Sequence, residues 1–471
     1  MANKPNGKAN KRSDYQLMKR ITLICFAVVL IVVISVAMFS VLNQALADNT
    51  FYVGVTYCGN NIGDAKLLID KVKNYTNLFV LQSGNLQTDN ASINEIGDYT
   101  VDSGLNFIVY MGVSSFALAN NWLTGYDGRW GNQFLGVYVA DEPGGKMLEG
   151  RNYLYDPAID RSITKTENGL SVYINNVNVI YMRNGTVSIE YWDSNKFQFF
   201  TYYPNGTIAS KKYFDSPLFI VNDHSSLTYG YDQLWEACPI QNYSEAARFF
   251  VAASNNTVSI VRDDYNLPLK VFTSDYALHW FDYESGYDAV LAEFCWNESI
   301  TRDIALVRGA ANAFRKDWGV TITWQYTTAP YLPNGNEMYQ RMCAAYENGA
   351  KYIVIFNYAP DMQGTYGTLT DDHFQALQRF WTDVVNNDSV IHGQVKVDTA
   401  FVLPKDFGSG LRNQQDIVWG LWTPSPENQT IWPKLQDALS IHGQKLDIVY
   451  DDPAYLATEK YTQTIYWNDT K

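Results

Sequence analysis

"FLGVYVADEPGG", residues 134–145, is an apolar run that ends in two adjacent acids, Asp141 and Glu142, followed by Pro143-Gly144-Gly145. A near-continuous apolar run of this length reads as a strand covered on both faces, as in a parallel sheet. Seven further runs share its grammar: 50–57, 77–84, 106–113, 269–275, 288–296, 319–326 and 351–358. Amphipathic segments lie between them. In 64–75, Leu67, Leu68 and Val72 share a face; 299–317 opens on Ser299 as an N-cap; 336–350 ends with Gly349 at a C-cap position; and 371–385 is a closing helix capped by Thr370. Strand starts recur about every 27–32 residues, except for a long fourth interval and a short fifth. Eight such units predict an α/β fold, a (β/α)8 TIM barrel over 48–390; an open doubly wound sheet is the alternative. The ends of the strands then lie on the face where barrel active sites sit.

The long fourth interval holds an insertion, 148–235, with a different pattern. Asn184-Gly185 and Asn205-Gly206 each separate two alternating runs, the preferred pair for a tight hairpin turn. A β-rich insertion after strand 4 is therefore predicted, emerging on the functional face as a lid, a side wall or a passive addition. Beyond the barrel, 395–471 reads as a small Rossmann-like α/β domain, with strands at 396–403, 416–422 and 446–452 and a helix at 426–443. "FGSGLR" (407–412) lacks the spacing of a dinucleotide loop, and no cofactor is expected.

Residues 21–42 carry no formal charge and are long enough to span a bilayer core. The cytoplasmic tail, 1–20, has a net charge of +5, so the body is expected outside the cell membrane, anchored by a single pass. Cleavage near Ala47 and secretion is the alternative. The remaining chain carries −19 and repels phosphate backbones, which argues against nucleic acid as a partner. Ten Asn-x-Ser/Thr sequons, Asn74, Asn255 and Asn428 among them, fit a glycosylated surface protein. Cys58, Cys238, Cys295 and Cys343 allow three pairings if two bridges form, and the scattered His and Cys residues offer no metal cluster. Arg308 reads as a helix-surface cation, and the sequence is silent on oligomeric state.

At the predicted rim stand acids and aromatics: Asp141 and Glu142 after strand 4, Asp275 after strand 5, Glu293 and Trp296 on strand 6, Trp324 and Tyr326 on strand 7, and Asn357, Tyr358 and Asp361 after strand 8. Aromatic faces stack on sugar rings, and carboxylic acids protonate glycosidic oxygens. "GVYVADEP" at this position resembles the (β/α)8 glycoside hydrolases, many of which place a general-acid Glu at the end of strand 4. The resemblance implies carbohydrate as substrate and Glu142 as that acid. Strand 7 departs from the large retaining clan: "TITWQYTTAP" (321–330) offers no nucleophilic acid. Either Glu293 or Asp275 supplies the second carboxylate, or the Asp141-Glu142 pair works as in hexosaminidases, where the substrate's acetamido group is the nucleophile and the Asp orients it. Adjacent residues on a straight strand face opposite ways, so Asp141 joins the site only if the strand bends; otherwise it caps the loop. Asp275, Trp296, Trp324, Tyr326, Asn357 and Tyr358 are the candidate substrate-binding residues. A non-catalytic glycan-binding or envelope protein on the same scaffold is the rival reading, and a sugar-modifying transferase a third.

Overall fold

The computed structural model describes residues 50–112, 122–123, 125–149, seven strands between 153 and 214, 243–264, 269–296, 298–360, 365–420, 426–456 and 458–469. The predicted membrane span, both Asn-Gly turns, Cys238 and Asp361 lie outside these residues. Among the described residues no helix is long and apolar enough to cross a membrane.

All eight apolar runs form strands: β1 (Tyr52–Tyr57), β2 (Leu78–Leu81), β3 (Asn106–Met111), β4 (Phe134–Asp141), β12 (Lys270–Asp275), β13 (Ala289–Phe294), β14 (Asp317–Ile322) and β15 (Tyr352–Ile355). They pair in parallel in a closed ring, β1-β15-β14-β13-β12-β4-β3-β2, so the fold is a TIM barrel. Alternate residues fill its interior. Leu78 and Val80, Phe272, Ala289 and Leu291, and Tyr352 and Val354 meet Ile108 and Tyr138 in one cluster, with Tyr52 stacked on Tyr352 at 5.2 Å. Gly136, at φ 145°, takes β4 close against β12: a Cβ there would lie 2.1 Å from the Lys270 carbonyl oxygen.

Helices occupy the predicted crossovers: α1 (Ile62–Val72), α2 (Asn90–Asp102), α3 (Tyr126–Trp130), α4 (Pro143–Leu148), α5 (Tyr243–Ser259), α6 (His279–Glu284), α7 (Ile300–Phe314), α8 (Gly335–Glu347) and α9 (Asp371–Phe380). Asn61, Asp89, Ser299 and Asn334 cap their helices with side-chain oxygens. Between α4 and α5 the insertion forms one antiparallel sheet in sequential order, β5 (Tyr153–Asp156), β6 (Arg161–Thr166), β7 (Gly169–Ile174), β8 (Val177–Met182), β9 (Val187–Asp193), β10 (Lys196–Tyr202) and β11 (Ile208–Phe214). The strands flanking each Asn-Gly pair with one another, and the meander extends three strands further upstream than the two hairpins legible in the sequence.

Residues 52–471 make one compact unit. Its C-terminal layer is a parallel sheet, β17 (Leu446–Tyr450), β16 (Thr399–Leu403) and β18 (Gln463–Tyr466), with helix α10 (Pro426–His442). The strand predicted at 416–422 is corrected over its described part, 416–420. That segment turns at Trp419 and Gly420, both at positive φ, and buries the Trp419 ring 4.7 Å from Phe281. The third strand is β18 instead. Arg308 is also corrected: it is buried, and its guanidinium reaches Asp447 at 2.7 Å and the Gln444 and Leu446 carbonyls at 2.8 and 2.9 Å. Cys58, Cys295 and Cys343 are free thiols, so no bridge forms among these three described cysteines. Two sequon asparagines already spend their amide protons inside the fold, Asn255 on the Ser285 carbonyl and the buried Asn428 on that of Asp416.

Candidate active site

A cleft of about 490 Å³ opens at the C-terminal mouth of the barrel. Its walls follow strand parity. The inward series that packs the interior continues upward as Thr56, Gln82, Ser274, Glu293, Thr321 and Phe356, all lining the cleft. Glu293 is the third inward residue of β13 after Ala289 and Leu291 and is 7% exposed.

Parity should allow only one of Asp141 and Glu142 into the cleft, yet both line it. Strand β4 carries the bend that the sequence left conditional. Against β12, Phe272 pairs with Tyr138 but Ser274 pairs with Asp141, so three steps on β4 match two on its neighbour. The surplus residue is a β-bulge, with Ala140 at φ 55°. Thr273 Oγ1 donates to the Ala140 carbonyl at 2.6 Å, and the Glu142 amide donates to the Ser274 carbonyl at 3.0 Å. Glu142 itself is left-handed, at φ 53° and ψ 50°.

The acids are tightly connected. Tyr138 Oη lies 2.5 Å from Asp141 Oδ1 and 2.8 Å from Ser274 Oγ, which in turn lies 2.5 Å from Glu293 Oε1. The Glu142 and Glu293 carboxyls are in hydrogen-bond contact. Lys146 Nζ sits 3.6 Å from Asp141 Oδ2 and 3.8 Å from Glu142 Oε2. Burial pushes the Glu142 carboxyl above the ordinary range, with the charge of Asp141 adding to it and Lys146 opposing. Burial pushes Glu293 well above that range, reinforced by Glu142 and Asp141. A raised carboxyl holds its proton toward neutrality, which a general acid requires.

Asp275 has a different place. It is fully buried and turned away from the cleft, in the parity opposite to Phe272 and Ser274. Its carboxylate accepts from the Gly144, Gly145 and Ala277 amides, the last two at 2.8 and 3.0 Å. It thus caps α4, whose own N-cap Glu142 offers no side-chain bond. Burial raises Asp275 to about 7 against the pull of those amides. The equally buried Asp282 packs against it and is raised well above the usual carboxylate range by burial and by the Asp275 charge. Asn357 also faces away, accepting from the Thr368 amide and hydroxyl at 2.8 and 3.0 Å.

The remaining candidates form an aromatic rim above strands β13 to β15. Trp296, Tyr326 and Tyr358 are 40%, 44% and 39% exposed, half of the six large apolar side chains exposed among the described residues. Trp324 ties them together, lying parallel to Tyr358 at 6.2 Å and edge-on to Trp296 at 6.5 Å, while its Nε1 donates to the Tyr358 carbonyl at 2.7 Å. Sequence reasoning missed Tyr138, Ser274 and Lys146. Parity was the available signal for the first two, since both extend inward series. Among the described residues no group of three or more His, Cys, Asp or Glu side chains is arranged to hold a metal ion. No protein-family model matches the chain, and no curated protein sequence is detectably similar to it.

Proposed function

We propose that the protein is an extracytoplasmic glycoside hydrolase, held to the cell membrane by residues 21–42, in which Glu142 is the general acid. The observation that carries this reading is the bulge in β4, which brings both Asp141 and Glu142 into a cleft with Glu293. Two-carboxylate glycosidases hold their acids about 5–5.5 Å apart for retention, or about 6.5–9.5 Å for inversion, with the sugar between them. The Glu142 and Glu293 carboxyls are hydrogen-bond neighbours, and Asp275 points elsewhere. The geometry therefore favours a substrate with a 2-acetamido group. Its carbonyl oxygen attacks the anomeric carbon while the glycosidic C–O bond breaks and the leaving oxygen takes the Glu142 proton. The Asp141 carboxylate accepts from the acetamido N–H as positive charge develops there. Water then opens the cyclic intermediate, giving its proton to Glu142 and restoring the acid.

One observation favours the second reading, a glycan-binding protein without turnover: Lys146 already partners both Asp141 and Glu142. The test is sugar release by residues 48–471 from aryl 2-acetamido glycosides, other aryl glycosides and cell-envelope polysaccharides. Turnover is expected on the acetamido substrates, and Glu142→Gln is expected to lower kcat at least about 10²-fold while leaving binding intact. Binding without turnover in the wild type would establish the second reading instead. Anchoring is tested separately: the full chain is expected to resist carbonate extraction from membranes, and its release would mean cleavage near Ala47.

A further inference from the structure

The contacts at the cleft floor impose a count of protons. Glu142 meets Glu293, Glu293 meets Ser274 at 2.5 Å, Ser274 meets Tyr138 at 2.8 Å, and Tyr138 meets Asp141 at 2.5 Å. Each of these four contacts is an oxygen pair and needs one hydrogen between its members. The Ser274 and Tyr138 hydroxyls supply one each. With all three carboxylates ionised, two contacts would press lone pairs together with no hydrogen between them. Two protons on the carboxyl groups fill the row, and one carboxylate is left with the charge.

The surroundings decide which one. Lys146 is closer to Asp141 than to Glu142, at 3.6 against 3.8 Å, and also donates to the Asp141 carbonyl. The Asp141 side chain is the better solvated, at 37% exposure against 30%, and Glu293 is buried. We propose that these five side chains form a directed proton row, Glu142 to Glu293 to Ser274 to Tyr138 to Asp141, in which Tyr138 and Ser274 are positioning residues that keep Glu142 protonated and Asp141 charged. The row deepens the function proposed above and rests on it: the acid and the orienting carboxylate receive opposite protonation states from a single chain of hydrogen bonds. Burial keeps the Tyr138 phenol neutral, so it relays polarity without losing its own proton.

The other titratable groups that act on the row are Cys58 from the end of β1, Tyr110 from β3, Asp275 and Tyr276 from the end of β12, Cys295 after β13, Lys146 from α4 and Glu149 just after it. Of these only Lys146 is a cation.

The test is the pH profile of kcat/KM on an aryl 2-acetamido glycoside for wild type, Tyr138→Phe and Ser274→Ala, each variant losing a single oxygen. Cutting the row at Tyr138 lets Ser274 donate to Glu293, whose own proton is then free to turn and hydrogen-bond Glu142, so that Glu142 can release its proton to solvent and become the ionised acceptor. The alkaline limb, which reports loss of the Glu142 proton, is expected to move down by about one pH unit in both variants. An unmoved or raised limb in folded variants overturns the row and leaves the hydrolase reading standing. Should the wild type turn over no glycoside, that reading fails alone, because infrared titration still counts protons. The carboxylic-acid C=O band at neutral pH is expected to weaken in Tyr138→Phe, and an unchanged band overturns the row.

Discussion

Arg308→Met is expected to lower stability by about 3–5 kcal/mol, the usual cost of removing one partner from a buried ion pair. Asp447 is fully buried and, among the described residues, would be left with Asn312 and Tyr461 as its side-chain donors, each at 3.1 Å. Asn348 Oδ1 and the Gln444 and Leu446 carbonyls would also lose their donor. The substitution is severe because helix α7 lies against strand β17: a Cβ on Gly309 would sit 2.4 Å from the Ile448 carbonyl oxygen, so the surface cannot open to admit water cheaply. Arg308→Met/Asp447→Leu is expected to recover much of the loss, since the uncompensated charge is then gone. Urea midpoints for the three proteins decide it. A single variant as stable as wild type would mean that the pair does not hold the C-terminal layer to the barrel.

The second large effect is a fall in stability from pH 6.5 to pH 8.5. Burial raises Asp275 and Glu284 to about 7 and raises Asp282 and Glu293 well above the usual carboxylate range. Unfolded carboxyls ionise near 4, so in this window the native state binds more protons than the unfolded chain, and stability declines as pH rises. A proton retained through the whole window is worth about 1.4 kcal/mol per pH unit, or about 3 kcal/mol over the two units, whereas Asp275 and Glu284 release theirs near 7 and contribute less. Histidines act in the opposite direction. His279 is held neutral down to about 4 by burial, and His373 and His392 are also lowered, so their contribution is lost as pH falls below about 6.5. The four raised carboxyls outnumber the three histidines, so stability is expected to decline with pH across the whole of pH 5–8.5. Urea midpoints across pH 5–8.5 measure the curve, and Glu293→Gln should flatten its alkaline side. A midpoint that rises toward pH 8.5 would show that the buried acids ionise without penalty.

The barrel was legible because a strand covered on both faces needs apolar residues at nearly every position, and eight such runs stand at regular spacing. Glu293 was legible for the same reason, as the inward continuation of Ala289 and Leu291. Asp275 and Asn357 were chosen for chemistry alone; counted by parity from Ser274 and Phe356, they turn outward. Asp141 was legible only on the condition of a bend, since the bulge that admits it depends on how β4 meets β12. Arg308 looked like a surface cation because helix α7 is covered on two sides, by the barrel and by β17. The neighbouring Gly309, a helix-interior glycine, was the available sign of a close approach. The Trp419 segment has strand-like composition, but its turn is fixed by burial of one indole.

The bulge in β4 works like a shift of reading frame. Before it, odd and even residues are assigned to different faces of the strand; after it the assignment moves by one, and two consecutive letters address the same space. Deleting Ala140 would restore the original frame without altering any functional residue, yet Asp141 and Glu142 would no longer share a destination. The acid pair is thus specified by a count of residues as much as by their kind, and insertions and deletions between Tyr138 and Glu142 should be far less tolerated than substitutions at the same positions.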